Sequence, residues 1–249
     1  MIGAFLIAVL GASTAEDSTF DAFFKDFAEK RNTVCTLEAA FTQESLTDDE
    51  TIEAEGTIVY AKPKRLVFRY EEPDPTYLID GLRVYEYARD IEQMQVYELE
   101  DNPQTEVFFL GFDDDTERLR EAYEVEVFEP ENEPEGAKGI RLRPKDAGGE
   151  ETYFESVTLL LRAADYLPYR IHIINDAESQ VTIQITRFVV NGPMTPAQTQ
   201  LELPEGTTII EGDAISEIVG ADGKRAPSPV VLPEHPSPPS SNRQEPVQP

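Results

Sequence analysis

Two histidines, one cysteine and a large surplus of carboxylates are the residues of this 249-residue chain that could do chemistry. His172 sits in an apolar run, Tyr169 to Ile174, and His235 lies 63 positions later in a proline-rich tail. A hydrolytic triad needs a base held between a nucleophile and an orienting acid, and neither histidine is placed to be that base. His172 is expected on a strand, facing solvent or satisfied within a sheet. Cys35 alone can form no internal disulfide and no cysteine-rich metal site, so it is expected as a small buried apolar side chain. Asp113, Asp114, Asp115 and Glu117 resemble a fragment of a calcium loop without the full spacing and distal Glu, which points to a solvated acidic turn. Paired carboxylates could cleave a glycosidic bond, yet among 49 acids a close pair arises by coincidence. The expectation is a non-enzymatic protein with no metal and no cofactor.

The charge excludes other classes. With 49 acids against 21 bases the formal charge is −28, so phosphate backbones and anionic membranes are repelled and nucleic acid is not an expected partner. Residues 221–249 hold three acids and three bases and residues 1–15 hold none, leaving 46 acids and 18 bases on residues 16–220. The densest stretch, Glu98 to Glu135, has 15 acids and only Arg118 and Arg120 as bases. Such a block reads first as a solvated face and second as a dock for a basic partner.

Neither end reads as part of the fold. Ile2 to Leu10 is uncharged and apolar, with small residues from Gly11 to Ala15 that suit signal-peptidase cleavage; residues 1–15 are expected to be a secretory signal. Residues 227–249 hold 8 of the 19 prolines, so 221–249 is expected to be a Pro-rich disordered tail. One domain, residues 16–220, remains.

The elements of that domain follow from periodicity. After Ser18, a candidate cap, Phe20, Phe23, Phe24, Phe27 and Ala28 fall on one stripe of an amphipathic helix. From Val34 the period becomes two, with Cys35, Leu37, Ala39 and Phe41 alternating with polar positions. About ten strands follow, separated by Gly, Pro, Asn or Asp. A meander this long must curl to bury its apolar face, so the fold class is mainly β with helices (α+β). It is expected as a single curled antiparallel sheet, with the Phe-rich helix over one opening. Residues 104–121 break the strand rhythm and are expected to carry Val107, Phe108, Phe109, Leu110 and Phe112 inward.

Three blocks add a resemblance: Phe41-Thr42-Gln43, the run from Gly56 to Asp74 (GTIVYAKPKRLVFRYEEPD), and the run from Asp80 to Gln93 (DGLRVYEYARDIEQ). With Val181 to Met194 and Leu201 to Ile210 behind them, in this order and spacing, the chain resembles the LolA family of periplasmic lipoprotein carriers over about residues 20–211. The resemblance implies an unclosed β-barrel with a helical lid enclosing an apolar cavity for acyl chains. It implies cavity-lining roles for Phe41, Leu66, Phe68, Tyr70 and Tyr85, and a lid carrying Phe20, Phe23, Phe24 and Phe27. The basic residue of the family's turn falls on Lys62, before Pro63, as a lid latch; Lys keeps the charge of the family's Arg but not its planar fork of donors. The Asp80-Gly81 pair reads as a turn.

The function so implied is a soluble, monomeric periplasmic carrier of acylated lipoproteins or lipids. It would load at an inner-membrane lipoprotein-releasing transporter complex and deliver to a possible outer-membrane acceptor. A lipid- or lipoprotein-binding sensor, or a general lipid carrier on the same fold, is the alternative.

Overall fold

The computed structural model of the chain describes residues 14–47, 50–71, 75–98, 123–145, 154–212, 214–217 and 228–229. Most of the expected signal, the inward Phe cluster at 107–112, the Asp113 turn and His235 lie outside them. Helix α1 (Thr14–Asn32) is the first described element. A first run of strands follows: β1 (Thr36–Thr47), β2 (Glu50–Ala61), β3 (Arg65–Tyr70), β4 (Pro75–Asp80), β5 (Arg83–Ala88) and β6 (Gln93–Glu98). A second run comprises β7 (Tyr123–Phe128), β8 (Lys138–Pro144), β9 (Ser156–Leu161), β10 (Pro168–Ile174) and β11 (Ser179–Val190). The one-turn helix α2 (Pro196–Thr199) and short strands β12 (Glu202–Leu203), β13 (Thr208–Glu211), β14 (Ala214–Glu217) and β15 (Ser228–Pro229) are the remaining elements among the described residues.

Thirteen strands form one sheet in the order β14-β13-β6-β5-β4-β3-β2-β1-β11-β10-β9-β8-β7, while β12 and β15 pair separately. Its edges, β14 and β7, do not meet, so the sheet is unclosed. It is not wholly antiparallel as expected, because β13 returns alongside β6 in parallel, Thr208 opposite Gln93. Strand β4 carries no alternation in the sequence because both of its faces are covered: Leu78 and Ile79, adjacent in the chain, are both buried, on opposite sides. The Asp80-Gly81 turn is observed as the β4–β5 hairpin, with Gly81 at φ +62 and its N–H donating to the Lys64 carbonyl at 3.0 Å.

The register sorts the side chains into two faces. On the inner face Leu37, Ala39 and Phe41 of β1 lie in line with Tyr60, Ile58 and Gly56 of β2, and these with Leu66, Phe68 and Tyr70 of β3. Ile183 and Ile185 of β11 and Leu159 and Leu161 of β9 continue that face across the second run. On the outer face Val59, Val67, Leu78, Tyr85, Tyr87, Met94 and Val96 form a separate core under Met194, Leu201 and Leu203 of the α2 segment. Arg69 fastens this strap: its guanidinium donates to the carbonyls of Ala197 and Gln200, both at 3.2 Å.

Helix α1 begins at Thr14, four residues before the expected cap at Ser18, which therefore lies within the helix. Its phenylalanine stripe packs on the inner face of β7–β10, where Phe24 and Phe27 meet Tyr123, Ile140, Leu142, Leu159 and Tyr166. Fully buried Arg31 lies over the Phe27 ring at 5.3 Å. Cys35 is exposed, not buried as its alternation with Leu37 suggested. It precedes the first strand residue, Thr36, and sits in the α1–β1 connection, where its backbone is held instead. Its N–H donates to Asn191 Oδ1 at 2.7 Å and its carbonyl accepts from the Lys62 N–H at 3.0 Å.

Asn191 stitches that connection to the end of β11. Its side chain also accepts from the Thr36 N–H and donates to the Thr33 carbonyl at 2.7 Å, and its φ of +55 suits Asn better than most residues. Asn191→Ala should therefore lower unfolding stability by about 2 kcal/mol, read as a shift in urea midpoint; an unchanged midpoint would refute this role.

Candidate functional site

The inner face carries the site. Phe41, Leu66, Phe68 and Tyr70 stand together there: Phe41 meets Phe68 and Tyr70 edge-on at ring distances of 5.9 and 5.0 Å. Phe41 and Leu66 are fully buried, whereas Phe68 and Tyr70 are half-buried, as are Val84, Ile171 and Val181 around them. Tyr85 does not join them. It pairs with Leu78 while Val84 pairs with Ile79, so Val84 is the β5 residue on the inner face and Tyr85 belongs to the outer core under the strap. The chain's resemblance to a family motif carries no parity information, and a one-residue offset inverts a strand's faces.

The four lid candidates are partners of one another. Phe20 lies 4.5 Å from Phe24, Phe23 meets Phe24 at 5.1 Å, and Phe23 and Phe27 lie against Tyr166 at 5.4 and 6.2 Å. The Tyr166 hydroxyl donates to Asp26 on the same helix at 2.8 Å, and Lys30 sits 3.7 Å over the Tyr166 ring. Lys62 reaches the helix end, where its Nζ donates to Asn32 Oδ1 at 3.4 Å.

Sequence reasoning missed the polar end of this face. One rung runs from Ile58 through Phe68, Tyr77 and Glu86 to Gln95 across five strands. The next runs from Tyr60 through Leu66, Ile79 and Val84 to Tyr97. The period-two spacing of Val84 and Glu86, and of Gln95 and Tyr97, was the available signal; it needed the position of β4 to be read.

Among the described residues three clefts adjoin the sheet, and none of these three is the enclosed apolar cavity that the resemblance implies. A cleft of about 660 Å³ lies at the far end of β1, β2 and β11, lined by Thr42, Gln43, Glu44, Glu53, Ala54, Glu55, Thr182 and Gln184. Glu44 and Glu53 stand directly opposite in the ladder there, a repulsive pair. A second, of about 260 Å³, lies under the strap beside the Arg65–Asp80 ion pair. The third lies on the outer side of β8–β10, where His172 Nδ1 is 3.0 Å from Thr182 Oγ1, a histidine satisfied within the sheet. Among the described residues no cluster of His, Cys, Asp or Glu could hold a metal ion.

Burial governs the tyrosines. Tyr70, Tyr77, Tyr166 and Tyr169 are each pushed up to about 12, first by burial and, in the last three, by the carboxylates of Glu86, Asp26 and Glu133 that accept their hydroxyl protons. The unfolded chain loses these protons near pH 10 while the fold keeps them, so stability falls as pH rises from 10 through 12 and is fully present below 10. Urea midpoints at pH 9, 10 and 11 should decline between the last two; a constant midpoint would contradict this.

A curled, unclosed sheet with an apolar concave face and a helix against it is the architecture of LolA-like, lipid-binding folds. The chain belongs to that family: residues 32–201 match the family described as "Outer membrane lipoprotein carrier protein LolA". Among solved structures it is similar to an uncharacterized conserved protein from Thermus thermophilus, 15% identical, covering 77% of this chain and 99% of that chain at a TM-score of 0.48. It is also similar to a putative outer membrane lipoprotein-sorting protein domain from Vibrio parahaemolyticus (8% identical; 70% and 94% covered; TM-score 0.39). The MucA/MucB complex of Pseudomonas aeruginosa contains another similar chain (11% identical; 72% and 60% covered; TM-score 0.42). No curated protein matches the chain. Among the described residues no helix is long and apolar enough to cross a membrane.

Proposed function

We propose that this protein is a periplasmic carrier that holds the acyl chains of lipoproteins against its inner face and shuttles them from the inner to the outer membrane. One observation carries the reading: Phe68, Tyr70, Val84, Ile171 and Val181 are half-buried on the inner face, beside the half that α1 covers. Exposing an acyl chain to water costs about 0.8 kcal/mol per CH₂, so a carrier must supply apolar surface of this kind. Movement of α1, with its stripe of Phe20, Phe23, Phe24 and Phe27 and its Lys62 contact, would enlarge that surface and close over cargo. Binding and release need no covalent step, so the carrier is not an enzyme and uses no cofactor. Energy for loading comes from an inner-membrane releasing complex, and delivery is to an outer-membrane acceptor.

Native mass spectrometry with lipid extraction, on protein purified from its own periplasm, tests the reading. Co-purifying lipoprotein peptides are expected, and they should be lost from Phe68→Glu, which places a charge in the acyl path at a half-buried position and leaves the fold intact by circular dichroism. Phospholipid alone would point to a general lipid carrier or a sensor, and a protein that carries no lipid or lipopeptide would overturn the proposal.

A further inference from the structure

The inner face is not uniformly apolar, and its polar end is built from a particular set of groups. Moving along one rung from β2 to β6, the side chains change from Ile58 and Phe68 to Tyr77, then to Glu86 and Gln95. The Glu86 carboxylate accepts from two tyrosines, Tyr77 at 3.3 Å on Oε1 and Tyr97 at 3.2 Å on Oε2. Tyr70 stands edge-on to Tyr77 at 6.0 Å, its own hydroxyl donating to Gln43 at 2.7 Å. The Tyr97 hydroxyl also lies within hydrogen-bonding reach of the Gln95 amide oxygen. It has one proton and two acceptors before it, so this corner has room for a further donor. No Lys or Arg forms an ion pair with Glu86 among the described residues, whereas Asp80 has Arg65 and Glu133 has Arg170. Tyr97 is 44% exposed, which leaves the corner open to a ligand.

We infer that the Tyr77–Glu86–Gln95–Tyr97 corner is a subsite for an ammonium group at the polar end of an acylated amphiphile whose chains lie on Phe68 and its half-buried neighbours. An ammonium is attracted to tyrosine faces and to a carboxylate at once, and aromatic neighbours lower the local dielectric and strengthen both attractions. It brings the N–H donors that Glu86 and the Gln95 amide oxygen can accept. A bare phosphate or sulfate would instead meet a carboxylate and ring faces of its own sign of charge. The gradient along the rung fixes the orientation, head toward β6 and chains toward β1. The ammonium has two chemical sources, the free α-amine of a diacylated lipopeptide or the amine headgroup of a phospholipid. The inference rests on the carrier reading and gives that cargo a head-end chemistry.

Four probes test it by fluorescence or calorimetric titration of the full chain. They are a synthetic S-diacylglyceryl-cysteinyl peptide with a free amine, its N-acetylated form, lysophosphatidylethanolamine, and its N-acetylated form. A free amine should bind about tenfold more tightly than its acetylated counterpart. In Glu86→Gln that preference should vanish while affinity for the acetylated probe stays the same, which also shows that the fold and the apolar face are intact. A preference within the first pair assigns the ammonium to a lipopeptide; one confined to the second pair assigns it to a phospholipid. Equal affinities within both pairs, or a preference that survives Glu86→Gln, overturns the ammonium subsite and leaves the carrier reading standing. Failure of all four probes to bind overturns both.

Discussion

Phe27→Ala is expected to lower unfolding stability by about 3–5 kcal/mol, enough to remove much of the stability of an ordinary domain. Phe27 is fully buried, and it is the member of the α1 stripe that reaches deepest: it touches Phe23 and Phe24 on its own helix and Tyr166 across the sheet, and lies beneath Arg31. Truncation removes the transfer energy of the ring and leaves a cavity between a helix and a sheet. Neither can collapse far, because Leu161 and Tyr166 are themselves fixed by strand pairing and by the Tyr166–Asp26 hydrogen bond. The cation over the ring loses its aromatic neighbour as well. Urea denaturation followed by circular dichroism reads the effect, and Phe20→Ala provides a contrast, since that ring is only half-buried at the outer end of the stripe. Equal losses for the two would show that the stripe is not graded in depth. A loss for Phe27→Ala below about 1 kcal/mol would show that α1 is not docked on the inner face in solution.

Gly56→Ala should be comparably severe, above about 3 kcal/mol, for a reason of space and not of backbone freedom. Gly56 lies in an ordinary strand, between Phe41 of β1 and Tyr70 of β3. A Cβ built there would overlap the Arg69 carbonyl oxygen and stand 2.9 Å from the Phe41 ring. The ring fills the place a side chain would take, and backbone on the other side cannot yield without opening the β2–β3 ladder. Gly81 is the opposite case: no atom lies within 4 Å of its would-be Cβ, and only its φ of +62 opposes alanine, which costs about 1 kcal/mol. Soluble yield and urea midpoint for the two variants should rank Gly56→Ala far below Gly81→Ala; the reverse order would mean that the Phe41 ring can vacate its place at little cost.

Much of this was legible in the sequence where one face of an element is buried and the other wet. The Phe stripe of α1 and most of the alternation along β1 have that property, and the family blocks supplied the order of the strands that follow. Legibility failed where both faces are covered, as at Leu78 and Ile79 of β4, because alternation then vanishes. It failed for Tyr85 because the outer core exists only through a strap that comes much later in the chain, and no local pattern at β5 reports it. It failed for Cys35 because a backbone anchored by Asn191 and Lys62 decides which way the connection turns. The Glu86 corner was unreadable for a related reason: each of Tyr77, Glu86 and Tyr97 is ordinary on its own strand, and only the register brings them to one point.

The strand order has a consequence for how the chain acquires its shape. Within β1 to β6, and again within β7 to β11, each strand pairs with its neighbours in the chain; the two halves are joined through β1 and β11, residues 36–47 with 179–190. Local hairpins form early and the distant seam closes late, since a long loop must be ordered before its contacts repay it. During synthesis, β1 therefore waits as an open edge, with Phe41 and Leu37 uncovered, until β11 has emerged. That interval, and not the finished protein, is when this chain is most exposed to aggregation, and β1 is the segment through which it would occur.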